Sequence, residues 1–233
     1  MSSKKAPKNK YVKNSHLSER KFRELPRLFR ADATALSAAP PTGLNRDTAS
    51  RHHGMPRARI AEACEADSPF DGEAEADESH FGARRARGAR GRGARGEAIA
   101  SGPPKRGGEV CTRIAPDVTR GTSTRVVEGK ASRDPIMCTD GFASCDGLVG
   151  WGCKRHHRVS RGENGFVERG NPGDRIDGIE GFWGHAKNGL VKYQGMPEED
   201  FYLHLRECEF RFDMRGRDMY RFMLRELRER PLN

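Results

Sequence analysis

The sequence predicts an α/β domain, a mixed sheet flanked by helices, preceded by a small helical region. Three observations predict it. Residues 73–81, 109–114, 135–141 and 156–160 read as short strands. A strongly amphipathic helix follows over residues 176–190, and two more helices close the chain. Before the strands, residues 17–65 carry only helical patterns, interrupted by a glycine turn.

The chain has 233 residues and a net charge of +10, which favours a polyanionic partner, nucleic acid before an anionic membrane surface. No run of 18 apolar residues exists, and the basic N-terminus lacks the apolar stretch of a signal peptide, so a cytoplasmic location is expected. Leu, Ile, Val and Phe number 15 in residues 1–120 and 23 in residues 121–233. On that count residues 1–70 should be the poorly packed part and residues 130–230 the better ordered. The six cysteines show no Cys-x-x-Cys pair and no zinc-ligand spacing; they read as free, partly buried thiols.

In order, residues 1–16 read as a flexible basic arm, followed by a helical region over 17–68. Residues 17–29 form one helix, with Leu17, Phe22, Leu25 and Phe29 on a stripe and Ser18 as N-cap; Pro26 should kink or interrupt it. Thr42-Gly43-Leu44-Asn45-Arg46-Asp47-Thr48 has the look of a helix-turn-helix turn. Gly43 supplies the turn, Asn45 can cap, and Arg46, Thr48, Ser50 and Arg51 could meet DNA. An ordinary capped surface helix would show the same string. Pro40 and Pro41 fall where the first helix of such a pair must still run, and residues 57–65 read as a further short helix.

The main domain is expected over residues 69–215, with residues 216–233 as a separate C-terminal helix. Residues 73–81 alternate like a strand. The segment 84–96 then carries six arginines, Arg84, Arg85, Arg87, Arg90, Arg92 and Arg95. Alone it would be an arginine-glycine tract that grips phosphates; between two strands it reads as a long basic hairpin loop. Residues 122–130 suggest a weak helix. The segment 135–141 is a strand ending in Asp140-Gly141, which places a carboxylate at its C-terminal edge. In the helix over 176–190, Ile176, Ile179, Phe182, Trp183, Ala186 and Leu190 form the apolar stripe, and Glu180 and Lys187, two turns apart, share another face. A plain core helix with one exposed ion pair would look alike. Residues 198–212 start with acids suited to a helix N-terminus and present Phe201, Leu205, Cys208 and Phe212; residues 218–229 present Met219, Phe222, Met223 and Leu227.

Several strings carry a resemblance. Asp77-Glu78-Ser79-His80-Phe81-Gly82 is similar to Asp-Glu-Ser-Tyr-Phe-Gly, and Thr139-Asp140-Gly141 with Asp146-Gly147-Leu148 to a second-aspartate segment. Ile179-Glu180-Gly181-Phe182-Trp183 and Phe201-Tyr202-Leu203-His204-Leu205 resemble a C-terminal signature. The chain thus resembles the ISXO-like DDE transposases of bacterial insertion sequences, from about residue 8 to residue 212. The resemblance implies a ribonuclease-H-like core and a DNA transposase acting by Mg²⁺-dependent strand cleavage and strand transfer at insertion-sequence ends. It implies Asp77, Asp140 and Glu180 as catalytic acids holding two Mg²⁺ ions, with Mn²⁺ able to substitute, because hard cations take carboxylate oxygens. It further implies Lys187 on a DNA phosphate, terminal repeats and target DNA as partners, assembly into a homo-oligomer on DNA, association with the nucleoid, and no membrane partner. His156 matches a recurrent histidine and receives no role.

The chain also departs from that pattern. Ala98-Ile99-Ala100-Ser101-Gly102-Pro103-Pro104 stands where the family has an apolar strand, so this strand should be broken or lost, leaving Asp77 on a strand with one reliable neighbour. Cys145 replaces a tyrosine, Ser160-Arg161 replaces Asn-His, and the N-terminal zinc ribbon of several such families is absent. A catalytically inactive DNA-binding remnant is therefore the alternative expectation.

Overall fold

The computed structural model describes residues 9–66, 73–81, 98–102, 104–105, 109–115, 136–139, 155–158, 177–193 and 196–232. The chain divides into two compact units, residues 1–63 with 214–233, and residues 64–213. The expected loop over 84–96, the weak helix over 122–130, and Asp140, Cys145, Ser160 and Arg161 lie outside the described residues.

In the first unit, α1 (Glu19–Arg30) begins where Ser18, in an extended conformation, accepts a hydrogen bond from the Lys21 N–H at 3.3 Å. Phe22, Leu25 and Phe29 are buried on one stripe. Pro26 does not interrupt the helix: it is buried beside Leu25, and the packing of that face outweighs the one intrahelical bond it forfeits. The short α2 (Ala35–Thr42) also runs through its prolines, Pro40 and Pro41. A capping box explains its persistence, with Thr34 and Ser37 each bonding the other's backbone N–H. It closes at Gly43, whose φ of 61° lies in the left-handed region. The Gly43 and Leu44 N–H groups reach back to the Pro40 and Ala39 carbonyls at 3.0 and 3.2 Å.

Asn45 then caps α3 (Arg46–Ala66), its Oδ1 accepting the Thr48 N–H at 2.7 Å. Residues 57–65 are not a separate helix; they are the second half of α3, which runs unbroken through Gly54 and Pro56. Its inward face, including His53, Pro56, Ile60 and Ala61, is buried on both sides of the proline and holds the helix together across it.

The C-terminal helix, labelled α6 (Met219–Glu229), belongs to this first unit. Asp218 caps it by accepting the Arg221 N–H at 3.1 Å, and Met219, Met223 and Leu227 are buried. The basic arm expected over 1–16 is docked from Asn9 onward. Asn9 Oδ1 accepts the Tyr11 and Val12 N–H groups, and Tyr11 stacks on Phe22 with ring centroids 5.4 Å apart. Val12 bridges Leu232, with the Lys13 N–H to Leu232 carbonyl distance 2.7 Å. The expectation that residues 1–70 pack poorly is thus overturned for the described part. Phe22 and Ala38 are fully buried, and the far end of the chain supplies Leu227 and Leu232 to the same core. A tally of large aliphatic residues within the segment saw neither the alanines nor the distant helix.

In the second unit, β1 (Glu73–Phe81) is the central strand. On one side it pairs antiparallel with β2 (Ala98–Gly102), Asp77 opposite Gly102 and Phe81 opposite Ala98, and Ala74 meets Lys105 of β3 (Pro104–Lys105). The next pair, β4 (Glu109–Val110) and β5 (Arg113–Ala115), lies antiparallel to β3 and β2. The strand expected to be broken or lost is therefore retained in two described parts, β2 and β3. On its other side β1 runs parallel to β6 (Ile136–Thr139), which in turn pairs parallel with β7 (Arg155–Arg158). Asp77 accordingly sits on a strand with neighbours on both sides.

The core of this unit forms where α4 (Asp177–Leu190) and α5 (Glu198–Asp213) meet β1 and β4. Phe81 of β1 packs against Trp183 of α4 and Phe201 of α5, with ring centroids 5.8 and 5.4 Å apart. Ile179, Phe182 and Ala186 are fully buried, as the helical stripe predicts. The two helices are close at Gly189, where a Cβ would make an ordinary van der Waals contact, 3.5 Å from Cys208 Sγ.

Candidate functional site

The parallel pairing of β1 and β6 aligns Glu73 with Ile136 and Ala76 with Thr139. Asp77 is the residue after Ala76, and Asp140 is next in sequence after Thr139, although Asp140 itself lies outside the described residues. Two strands running in the same direction are thus in register as far as Ala76 and Thr139, the residues that precede the expected aspartates in sequence. The third acid is on α4. Burial of Ile179, Phe182, Trp183 and Ala186 orients that helix and leaves Glu180 and Lys187 exposed. Seven residues separate them, about 10 Å along the helix axis. Of the expected phosphate-binding residues, Arg46 and Arg51 are exposed on the first two turns of α3, while Arg84, Arg85, Arg87, Arg90 and Arg92 lie outside the described residues.

Sequence reasoning missed the polar side of α5, which anchors the sheet edge. Glu209 Oε2 accepts both the Thr112 N–H at 2.8 Å and the Thr112 hydroxyl at 2.7 Å, and Arg206 Nη1 donates to the same oxygen at 2.7 Å. One helical turn on, Asp213 Oδ1 accepts the Val110 N–H at 2.8 Å. Segment 110–112 joins β4 to β5, so α5 supplies acceptors to backbone donors at the place where the ladder is interrupted. Arg206 and Glu209 are almost wholly buried. Burial alone would lower the Arg206 pKa, but the Glu209 carboxylate and the Tyr202 hydroxyl more than offset it, and the net shift is upward. A second pair, buried Glu207 with partly buried Arg211 at 2.7 Å, follows the i,i+4 rule. The signal was present as Arg-x-x-Glu and Glu-x-x-x-Arg spacing, but such pairs ordinarily mark a solvated face.

The same region holds Cys64, whose Sγ lies 4.0 Å from the Arg206 carbonyl. Burial, then the nearby Glu209 carboxylate, pushes this thiol's pKa well up, so it is a protonated and unreactive group. Tyr202 donates to Glu65 at 2.6 Å, and burial followed by that bond raises its pKa as well.

No family model matches the chain. Over 105 residues it is 37% identical to an uncharacterized transposase-like protein of Haemophilus influenzae, a match that spans 45% of this chain and 81% of the relative. With that identity extending over most of the relative's length, the chain belongs to the same family of transposase-like proteins.

Proposed function

We propose that this protein is a DNA transposase of the ISXO-like DDE type, catalysing Mg²⁺-dependent strand cleavage and strand transfer at insertion-sequence ends. The observation that carries the reading is the parallel register that sets Thr139 beside Ala76, the residues that Asp140 and Asp77 follow in sequence. Membership of a transposase-like family supports it. So does the strand arrangement: an antiparallel meander from β1 through β2 and β3 to β4 and β5, with β6 and β7 parallel to β1, suits a ribonuclease-H-like core.

Asp77, Asp140 and Glu180 form a donor set of carboxylate oxygens, the chemistry that divalent magnesium takes. Bound there, the metal would neutralise charge developing on the attacking and leaving oxygens of the phosphodiester. The chain's own residues bind and orient the DNA. Lys187, on the same helix as Glu180, meets a backbone phosphate. Arg46 and Arg51 at the start of α3 contact the duplex, with the arginines of residues 84–96 adding sequence-independent grip. Assembly on two element ends makes the working species an oligomer on DNA, and its partner places it at the nucleoid.

Purified protein incubated with DNA carrying its element's terminal repeats should yield nicked or joined products with Mg²⁺ or Mn²⁺ and none with chelator. Asp140→Ala should abolish the product; unchanged activity would remove the assignment. One observation favours the non-catalytic DNA-binding remnant, namely the division between β2 and β3 in the strand beside Asp77. Salt-sensitive duplex binding without any metal-dependent product would select that reading.

A further inference from the structure

The first unit concentrates the chain's positive charge. Its described residues include 17 Lys and Arg against 8 Asp and Glu. Arg46 and Arg51 at the start of α3 use only two of these, and α6 carries three more, all on one face. Its buried residues, Met219, Met223 and Leu227, repeat every four positions and fix the rotation of the helix. The face turned away from them carries Arg221, Arg225 and Arg228, spaced i, i+4 and i+7, so the three stand in one row. All three are exposed, with the Arg221 side chain 87% and the Arg225 side chain 62% accessible. Acidic neighbours offset the row in part, exposed Glu229 following Arg228 in sequence. Arg221 is 3.3 Å from Asp218, itself about half exposed, and Arg225 is 3.9 Å from Glu226, which is engaged by Arg230 at 2.8 Å. Exposed pairs of this kind are readily exchanged for a phosphate. Arg27 of α1, exposed and 5.5 Å from the Tyr220 ring, adds a further guanidinium beside the first turn of α6.

We propose that this arginine row on α6 is a duplex-DNA backbone-binding surface, distinct from the start of α3 and indifferent to base sequence. It rests on the DNA reading above and extends it to a second contact. Steps of about 6 and 4.5 Å along the helix let three guanidiniums meet successive phosphates along a groove edge. Arginine, with its planar fork, suits phosphate oxygens bidentately. A membrane surface fits less well. An interfacial helix needs an exposed apolar face, and the large exposed apolar residues among those described, Leu36, Ile114 and Val191, are all off α6.

The test uses the full chain and a fluorescein-labelled random-sequence duplex, with affinity measured by anisotropy across a potassium chloride series. The triple variant Arg221→Gln, Arg225→Gln, Arg228→Gln should make the slope of log K against log salt less steep by about 2–3, and the corresponding triple Lys variant should keep the wild-type slope. Arg228→Gln alone should change it by about 1, which guards against a triple variant that folds badly. A folded Gln variant with the wild-type slope overturns the α6 surface while leaving the DNA reading standing. Loss of binding to phosphatidylserine vesicles with duplex binding unchanged overturns it in favour of a lipid surface. Failure of the wild-type chain to bind the duplex overturns the DNA reading itself.

Discussion

Glu209 ties α5 to the sheet edge through one buried carboxylate oxygen that serves a backbone N–H, a hydroxyl and a guanidinium. Glu209→Ala would leave Arg206 buried and unpaired and the Thr112 donors without their acceptor. Breaking a buried pair this way costs about 3–5 kcal/mol, which urea denaturation of the purified variant should report. Glu209→Gln keeps an acceptor for Thr112 and should cost visibly less. Cys64 gives a pH-dependent counterpart. Its folded pKa is raised, so the neutral thiol contributes stability that is fully present below the ordinary thiol value of 9.0 and lost as pH rises above it. The urea midpoint should therefore fall above pH ~9, and the fall should be smaller in Cys64→Ala.

At the scale of elements, glycine and proline govern helices here by context. In α4, a Cβ at Gly181 or Gly184 would meet nothing within 4 Å, and both lie on the exposed side. Replacing either by alanine should stabilise the protein by about 1 kcal/mol, read as a raised urea midpoint. Because Gly184 is one turn beyond Glu180, Gly184→Ala also tests whether DNA approaches that face. Greater stability with weakened cleavage would indicate that it does. Pro40 is exposed within α2, so Pro40→Ala should restore a backbone bond and gain roughly 1–3 kcal/mol, less what the more flexible unfolded chain takes back. Gly43→Ala acts in the opposite direction, since φ is 61° there and an L side chain costs about 1–2 kcal/mol in that region.

On the scale of the molecule, the two ends of the chain build one unit. Leu232 pairs with Val12, and Leu227 lies in the cluster with Tyr11 and Phe22. Truncation before Met219 would expose that cluster and remove four buried side chains, Met219, Met223, Leu227 and Leu232, worth roughly 1.5–3 kcal/mol each. Limited proteolysis of the truncated chain should then cut α1 and α3 rapidly, while the same sites in the full chain resist. Resistance in both would show that residues 9–63 hold together without α6. Among the described residues no helix is long and apolar enough to cross a membrane.

What the sequence by itself determined was local in origin. Ser18, Asn45 and Gly43 announced their caps and turn because a side-chain oxygen or an absent Cβ acts within three or four residues. The stripes of α4, α5 and α6 were legible because a helix repeats its inward face every 3.6 residues. The candidate acids were named from short strings, but strings do not carry register. The alignment of Ala76 with Thr139 was decided by strand pairing across some sixty residues of chain. Tertiary structure alone also decided the continuity of α1 and α3 through Pro26 and Pro56, since burial of a face can outweigh one lost hydrogen bond. It decided as well that Arg206 and Glu209 turn inward: an ion pair at i,i+3 reads the same in water and in a core until the strand it supports is in place.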